Sequence, residues 1–320
     1  MKFLALVLLL SSFSSLTLME VVNSFNESCN DFFIQNENDI IIPTIFPGCQ
    51  YKMICQRWEN KSMFATVYDT VRRIPVYSAY TFLQAGRTIR RNRWKIEPQL
   101  EDIEEYRNLT EMIVSPREAG QIFNQAVYSD YTGTGFTRGH MFPHMFAADQ
   151  DQADSTFTLT NIAPQTQGSN DKWAKQVEEP MLNEIKQDCI LNQNHSAYIV
   201  TGVVPGKKWI SITRDGEEYQ EGINIPSHFW SAYCCTNKKD PNKFIAGAYI
   251  TKQESFNLRR PNIHHLNTEL TKLYNKKIRF NVFPGIDCKK RKKIKIFKKR
   301  LDLMQQKTLN ILYYQKNYYF

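Results

Sequence analysis

The sequence predicts an α+β fold, a mixed and largely antiparallel sheet with few helices. Three observations lead there. Short runs rich in β-branched and aromatic residues recur at 64–68, 74–82, 197–204, 229–236 and 244–251. Asp215-Gly216 separates the apolar stretches 210–213 and 223–225, and this dipeptide favours the positive φ pair of a tight hairpin turn. Helical spacing is confined to a few segments, chiefly one beginning near Asn170, where Trp173 and Val177 stand four apart as on one buried face. With 42% hydrophobic residues over 320 positions, the chain can bury a substantial core.

Taken in order, residues 1–24 read as a secretory signal peptide: Lys2, the apolar run 3–10, a serine-rich stretch and small residues before a cut after Ser24. That run is well short of a bilayer span and no later segment is long enough for one, so no transmembrane segment is expected. Sequons at Asn26, Asn60, Asn108 and Asn194 agree with a secreted glycoprotein. Seven cysteines remain after the cut: Cys29, Cys49, Cys55, Cys189, Cys234, Cys235 and Cys288. In an oxidising compartment most of them pair, and the odd number leaves one free or joined to another chain. Their spacing lacks the pair-and-pair pattern of a structural zinc site.

The runs 64–68 and 74–82 are scaffold strands, with Pro75 leaving the second an edge at its start. Trp94 among Arg87, Arg90, Arg91, Arg93 and Lys95 mixes aromatic and cationic character, as a groove for a nucleic-acid backbone does. Residues 101–125 are polar, with weak helical spacing and no assigned chemistry. Pro180 is expected to kink or end the helix that begins near Asn170, and 197–204 to form a buried central strand closed by Gly202 and Pro205. Nine of the twelve residues 289–300 are Lys or Arg, equal to the formal net charge of +9 for the whole chain. The rest is therefore near neutral. The expected organisation is a signal peptide at 1–24, one domain at 25–288, and a solvated, disordered basic tail at 289–320 with accessory affinity for polyanions.

Chemistry concentrates between Tyr131 and Glu178. Gly139 lets the backbone approach whatever Arg138 and His140 address. Residues 156–160 alternate polar and apolar, which predicts a short half-buried strand ended by Asn161. A turn over 164–169 containing Gln165 then leads into a helix carrying Asn170 and Glu178. A histidine before a strand and an amide on the following helix can converge. Such a set suits metal-assisted phosphodiester hydrolysis: a neutral imidazole takes a proton from water, one divalent cation offsets charge on the phosphate and leaving oxygen, and a guanidinium holds the phosphate. Eight residues of helix rise about 12 Å, too far for Asn170 and Glu178 to ligate one ion directly. Glu178 then acts through a water, or Asn170 precedes the first helical turn. One protein ligand plus waters suits Mg²⁺, with Mn²⁺ as its substitute. His140 and His144 share the spacing of zinc-protease ligands, but Pro143 disfavours that helix and no glutamate follows His140, so zinc is not expected.

At these residues the sequence resembles the DNA/RNA non-specific endonucleases, whose signature is Asp-Arg-Gly-His followed by Thr-Asn, Pro-Gln, Asn, Trp and Glu. Here the corresponding residues are Arg138-Gly139-His140, Thr160-Asn161, Pro164-Gln165, Asn170, Trp173 and Glu178. Outward from the signature, Ile54-Cys55-Gln56-Arg57 and the stretches 73–80 and 94–99 look like the vertebrate branch called endonuclease domain-containing 1 proteins, so the resemblance covers roughly 28–288. It implies a ββα-metal (His-Me finger) active-site motif and Mg²⁺- or Mn²⁺-dependent cleavage of DNA, RNA or both, with little sequence preference and 5′-phosphate products. It also implies residue roles. His140 falls on the general base, Asn170 on the metal ligand, Glu178 on the glutamate that orients metal-bound water, and Arg138 on the signature arginine. Asn161 and Gln165 fall on polar positions lining the substrate site, and Arg93 lies near a phosphate-contacting arginine, with Arg91 competing for that register. Thr137 stands where the signature has aspartate. That departure removes a negative charge beside Arg138 and implies lower activity or, as the alternative, a catalytically weakened secreted protein that binds nucleic acid or other polyanions.

Overall fold

The structure is a computed structural model that describes residues 19–290 except Glu27, Glu37 and Asn38. Most of the expected signal peptide and the tail beyond residue 290 lie outside the described residues. The chain divides into the units Met1–Lys289 and Lys290–Phe320, and the elements that follow belong to the first, Lys290 itself apart.

In chain order the strands are β1 (Val21–Val22), β2 (Tyr51–Trp58), β3 (Lys61–Asp69), β4 (Ile74–Phe82), β5 (Phe136–His140), β6 (Ile162–Thr166), β7 (Ala197–Val204), β8 (Lys208–Arg214), β9 (Glu217–Ile225), β10 (His228–Asn237) and β11 (Asp240–Lys252). Seven of them build the main sheet in the order β1-β2-β3-β4-β7-β10-β11, every neighbouring pair antiparallel. The fold class is thus the expected one. Outside this sheet, β5 pairs with β6, β8 with β9 in a hairpin, and the short strands Ile34–Asn36 with Asp39–Ile41 and Lys95–Ile96 with Ile113–Val114. Asp215 and Gly216 close the hairpin with φ of +48° and +83°, the geometry the dipeptide predicted.

β7 is central, as its unbroken apolar run requires: Thr201 pairs with Ser78 on one side and Ser231 on the other. Its residues alternate between two cores. Ile199 and Val203 face the cluster that contains Phe142, Phe157, Leu159 and Trp173, while Val200 and Val204 face the cluster of Leu266, Leu270, Tyr274 and Phe280. Gly202 has no alternative there, because a Cβ would lie 2.6 Å from the Trp230 ring. Pro75 also fits its expected place. It sits opposite Tyr68 at a bulge, and β7 pairs with β4 only from Tyr77 onward, so no ladder bond is lost at the proline.

Adjacent Cys234 and Cys235 point to opposite faces of β10 and staple different elements to the sheet. Cys235 bonds Cys189 on the first face, and Cys234 bonds Cys288 on the second. Cys29–Cys55 ties the N-terminal segment to β2, and Cys49 is free and exposed. All four sequon asparagines are exposed. No helix among the described residues is long and apolar enough to cross a membrane. Two expectations at the chain ends meet structure. A cut after Ser24 would remove β1, whose Val21 and Val22 pair with Ile54 and Met53 of β2. At the other end, Lys289–Lys290, expected to open the disordered tail, forms a short strand.

Candidate functional site

β5 and β6 form a two-stranded ladder in which His140 faces Ile162, Arg138 faces Pro164 and Thr137 faces Gln165. The second strand is therefore Ile162–Thr166, where a turn was expected, and 156–160 is not a strand. The alternation at 156–160 has another cause. Phe157 and Leu159 enter the apolar core, while Thr158 and Thr160 donate their hydroxyls to one buried oxygen, Glu97 Oε1, at 2.6 and 2.9 Å. Both sets are buried, and the backbone winds into a short 3₁₀ turn over Leu159–Asn161. Pro164 is tolerated in β6 because that strand has no partner on its other side.

Thr166 caps the helix that follows, its hydroxyl accepting from Ser169 N at 3.3 Å. Within it, Gln167–Trp173 is α-helical, Ala174–Glu178 widens into a π turn, and Glu179–Asp188 resumes the α-helix with Pro180 in its first turn. Pro180 thus neither ends nor breaks the helix. It lacks the N–H that would bond residue 176, and its ring crowds that carbonyl, so the preceding turn opens to the i→i+5 pattern. This matters for Asn170 and Glu178. Eight residues of uninterrupted α-helix would separate them by about 80° around the axis. With one extra residue absorbed by the π turn, the interval behaves like i,i+7 and both fall on one face.

Thr137 does not sit beside the Arg138 guanidinium, as expected, because successive strand residues face opposite ways. Its hydroxyl donates to the Gln165 carbonyl at 2.8 Å and accepts from Asn170 Nδ2 at 3.0 Å. The amide is thereby oriented, leaving Asn170 Oδ1 free among the described residues. Gln165 is buried, its Nε2 donating to Ser169 Oγ at 3.2 Å. Gly139 is explained by Gln165: a Cβ there would meet Gln165 Oε1 at 2.4 Å. Asn161 is also fully buried. Its Oδ1 accepts from Phe142 N and Ser78 Oγ, and its Nδ2 donates to the Phe142 and Thr156 carbonyls. No polar atom of Asn161 is left to reach a substrate, and its bond to Ser78 locks the motif onto β4.

On the opposite face of β5, His140 packs between Trp94 and Phe157, ring centroids 5.6 and 5.1 Å away. A hydrogen bond to the Arg138 backbone holds the ring, while Nε2 is buried with no partner. Burial, helped by the charges of Arg90 and His144, pushes the imidazole down to about 3, so it is neutral at physiological pH. Burial, helped by Glu179 and opposed by Arg90, pushes Glu178 up to about 8. The Arg138 guanidinium lies 4.3 Å over Tyr128, 5.1 Å over Trp94 and 5.3 Å over Tyr131, and donates to the Tyr128 carbonyl at 3.1 Å. Burial lowers its pKa, and its Nε is a second buried group without a partner.

Two residues that sequence reasoning did not single out belong here. Arg90 stacks 5.1 Å over the same Phe157 ring that touches His140, and its charge acts on His140, His144 and Glu178 together. Arg93 is solvent-exposed, and Arg91 is paired with Asp154 at 3.0 Å. The basic cluster was legible; only the position of Phe157 distinguishes Arg90 within it. Glu97 is the other residue, a buried carboxyl pushed up to about 7 by burial, which anchors Thr158 and Thr160 beneath the site.

Among the described residues, no three His, Cys, Asp or Glu side chains converge as a metal-binding group. The available donor is instead one oriented amide oxygen, Asn170 Oδ1, on the helix face that also carries Glu178. A hard cation that keeps most of its waters, such as Mg²⁺, fits that donor set.

Residues 47–287 match the DNA/RNA non-specific endonuclease family. The Endonuclease domain-containing 1 protein of Homo sapiens is 34% identical over 186 residues, 57% of this chain and 34% of that protein, and its Mus musculus counterpart is 30% identical over the same length. Nuclease C1 of Cunninghamella echinulata var. echinulata is 27% identical over 146 residues, 43% of this chain and 53% of that one. The chain thus spans about a third to a half of the length of these relatives. A crystal structure of the EndoG/EndoGI complex aligns over 72% of this chain and 86% of its own, with a TM-score of 0.44 and 16% identity. By the extent of the match, the chain belongs to the DNA/RNA non-specific endonuclease family.

Proposed function

We propose that the chain is a secreted, metal-dependent endonuclease that hydrolyses phosphodiester bonds of DNA, RNA or both without strong sequence preference. One observation carries the reading: His140 Nε2 is a neutral, buried nitrogen with no partner, two strand residues from Arg138 and within the field of Arg90. A neutral imidazole has its Nε2 lone pair open to the proton of an attacking water, and the negative charge of a phosphate bound beside it offsets the Arg90 field and raises its basicity. Its Trp94 and Phe157 contacts fix the ring, so Nε2 needs no reorientation at the moment of transfer. Asn170 presents Oδ1 to a divalent cation, which when bound supplies the charge that offsets the developing anion on phosphate and leaving oxygen. Glu178 is mostly protonated when no cation is near; positive charge on its helix face draws it to the carboxylate, which then orients a water.

Arg138 and Arg90 supply positive field at the scissile phosphate, and the exposed Arg93 meets phosphates further along the strand. Gln165 and Asn161 act by holding Asn170 and His140 in register rather than by touching substrate. The alternative reading, a catalytically weakened protein that binds nucleic acid, is favoured by the aromatic cage on Arg138, which limits how far its guanidinium can reach. The deciding experiment incubates the purified protein with plasmid DNA and with RNA in Mg²⁺ or Mn²⁺, with and without chelator, beside His140→Ala. Chelator-sensitive cleavage lost in the variant is expected; binding without cleavage under either metal replaces this reading with the alternative.

A further inference from the structure

A groove of about 760 Å³ opens beyond the far end of the β5–β6 ladder, and none of the residues given catalytic roles above lines it. It shares with the ladder its last pair, Phe136 and Thr166. Thr166 caps the helix that carries Asn170, four residues or about 6 Å of rise away. The groove is fixed to the site rather than merely adjacent. Gln253, buried in its floor, accepts from Thr166 N at 3.0 Å and donates to the Pro226 carbonyl at 2.8 Å. Its walls are cationic. Lys207 and Lys252 are exposed and unpaired among the described residues, while Lys208 meets the one lining carboxylate, Glu254, at 3.1 Å. Lys172, on the Asn170 helix, lies 5.8 Å over the ring of Phe256, whose backbone N–H bonds Lys252 O.

Unpaired lysines attract phosphates, and Phe136, a half-buried ring in the lining, is an aromatic surface on which an unpaired base can stack. We propose that this groove is a subsite for single-stranded nucleic acid, in which Lys207, Lys252 and Lys172 take backbone phosphates to one side of the scissile bond and Phe136 takes a base. The proposal rests on the nuclease reading of the neighbouring ladder and assigns the groove the flanking strand, so a substrate reaching past Thr166 binds more tightly than one ending at the cleaved bond.

The test uses the full chain with Lys207→Glu/Lys252→Glu, exposed positions remote from His140. Binding of a labelled single-stranded 12-mer is followed by anisotropy in chelator, where nothing is cut, across a salt series. Affinity is expected to fall at least about tenfold at low salt, and the slope of log K against log salt to shrink by about 1.4, the value for two phosphate contacts on a single strand. Phe136→Ala should weaken binding with an unchanged slope. Cleavage of a dinucleotide should match the parent in the double variant. Lys207→Gln/Lys252→Gln, with about the same slope change, covers the event that charge reversal impairs folding. Parental affinity and slope in the lysine variants overturn the proposal, as does loss of heparin binding with oligonucleotide binding intact. Failure of the parent to cleave anything counts against the nuclease reading alone, since the binding arm needs no turnover.

Discussion

Thr137→Val probes the residue by which this chain departs from its family's signature. The substitution keeps the side-chain volume and removes only the hydroxyl, which donates to the Gln165 carbonyl and accepts from Asn170 Nδ2. Each such bond contributes about 0.5–1.5 kcal/mol net, so folding stability should fall by about 1–3 kcal/mol. In a domain of this size that is a loss of roughly 2–12 °C in Tm. The functional effect should be larger. Without its acceptor the Asn170 amide can turn, and removing a group that orients a metal ligand typically costs about 10–100-fold in metal affinity. A Mg²⁺ titration of cleavage, with Mn²⁺ binding followed independently by electron paramagnetic resonance, should therefore move to 10–100-fold higher concentration, roughly. The rate at saturating metal should change little. Thr137→Ser keeps both bonds and should behave as the parent. Thr137→Asp places a carboxylate at the Asn170 amide rather than at Arg138, and should tighten metal binding. An unchanged metal titration in the valine variant would refute the argument that the hydroxyl orients Asn170.

His140→Ala should lower cleavage by about 10²–10⁴ while oligonucleotide binding in chelator is kept. Because the imidazole is pushed down to about 3, the parent's pH–rate profile should show no acid limb near 6.5; an inflection there that disappears with His140 would contradict the burial argument. Arg90→Ala should reduce cleavage more than Arg93→Ala, since only Arg90 reaches the Phe157 ring; the reverse order in steady-state rates would return the role to Arg93. Pro180→Ala should leave Tm at or above the parent's yet cut the rate about tenfold by letting the π turn close and rotating Glu178 off the Asn170 face. Full activity in that variant would mean the turn does not position Glu178. Glu97 has a folded pKa raised to about 7 from 4.5, so the folded state keeps a proton that the unfolded chain releases. Its contribution is full below about pH 4.5 and declines as pH rises to 7, by about 3 kcal/mol in total. Glu97→Gln removes that slope, so thermal melts should show the variant gaining on the parent from pH 5 to pH 8; a constant difference would show that Glu97 does not titrate in the fold.

Much of this molecule is determined by neighbours in the chain. Runs of β-branched and aromatic residues marked the strands of the main sheet, Asp215-Gly216 marked the β8–β9 hairpin beside it, and the order Arg138, His140, Asn161, Asn170, Glu178 marked the motif, because backbone preferences and signature spacing are local properties. Tertiary structure decided everything that depends on a distant partner. Residues 156–160 alternate like a strand, yet Glu97, some sixty positions away, turns their hydroxyls inward and passes the strand to Ile162–Thr166. Asn161 reads as a substrate contact until Ser78, Phe142 and Thr156 are seen to use its hydrogen-bonding groups between them. Arg90 is one arginine among several until Phe157 brings it to His140. Cys234 and Cys235 stand side by side in the sequence, and only the structure shows which distant cysteine each one reaches. In each case the side chain's chemistry was written in the sequence, but its direction was set by a group that only the packed core brings within reach, since burial and hydrogen bonding act through space rather than along the backbone.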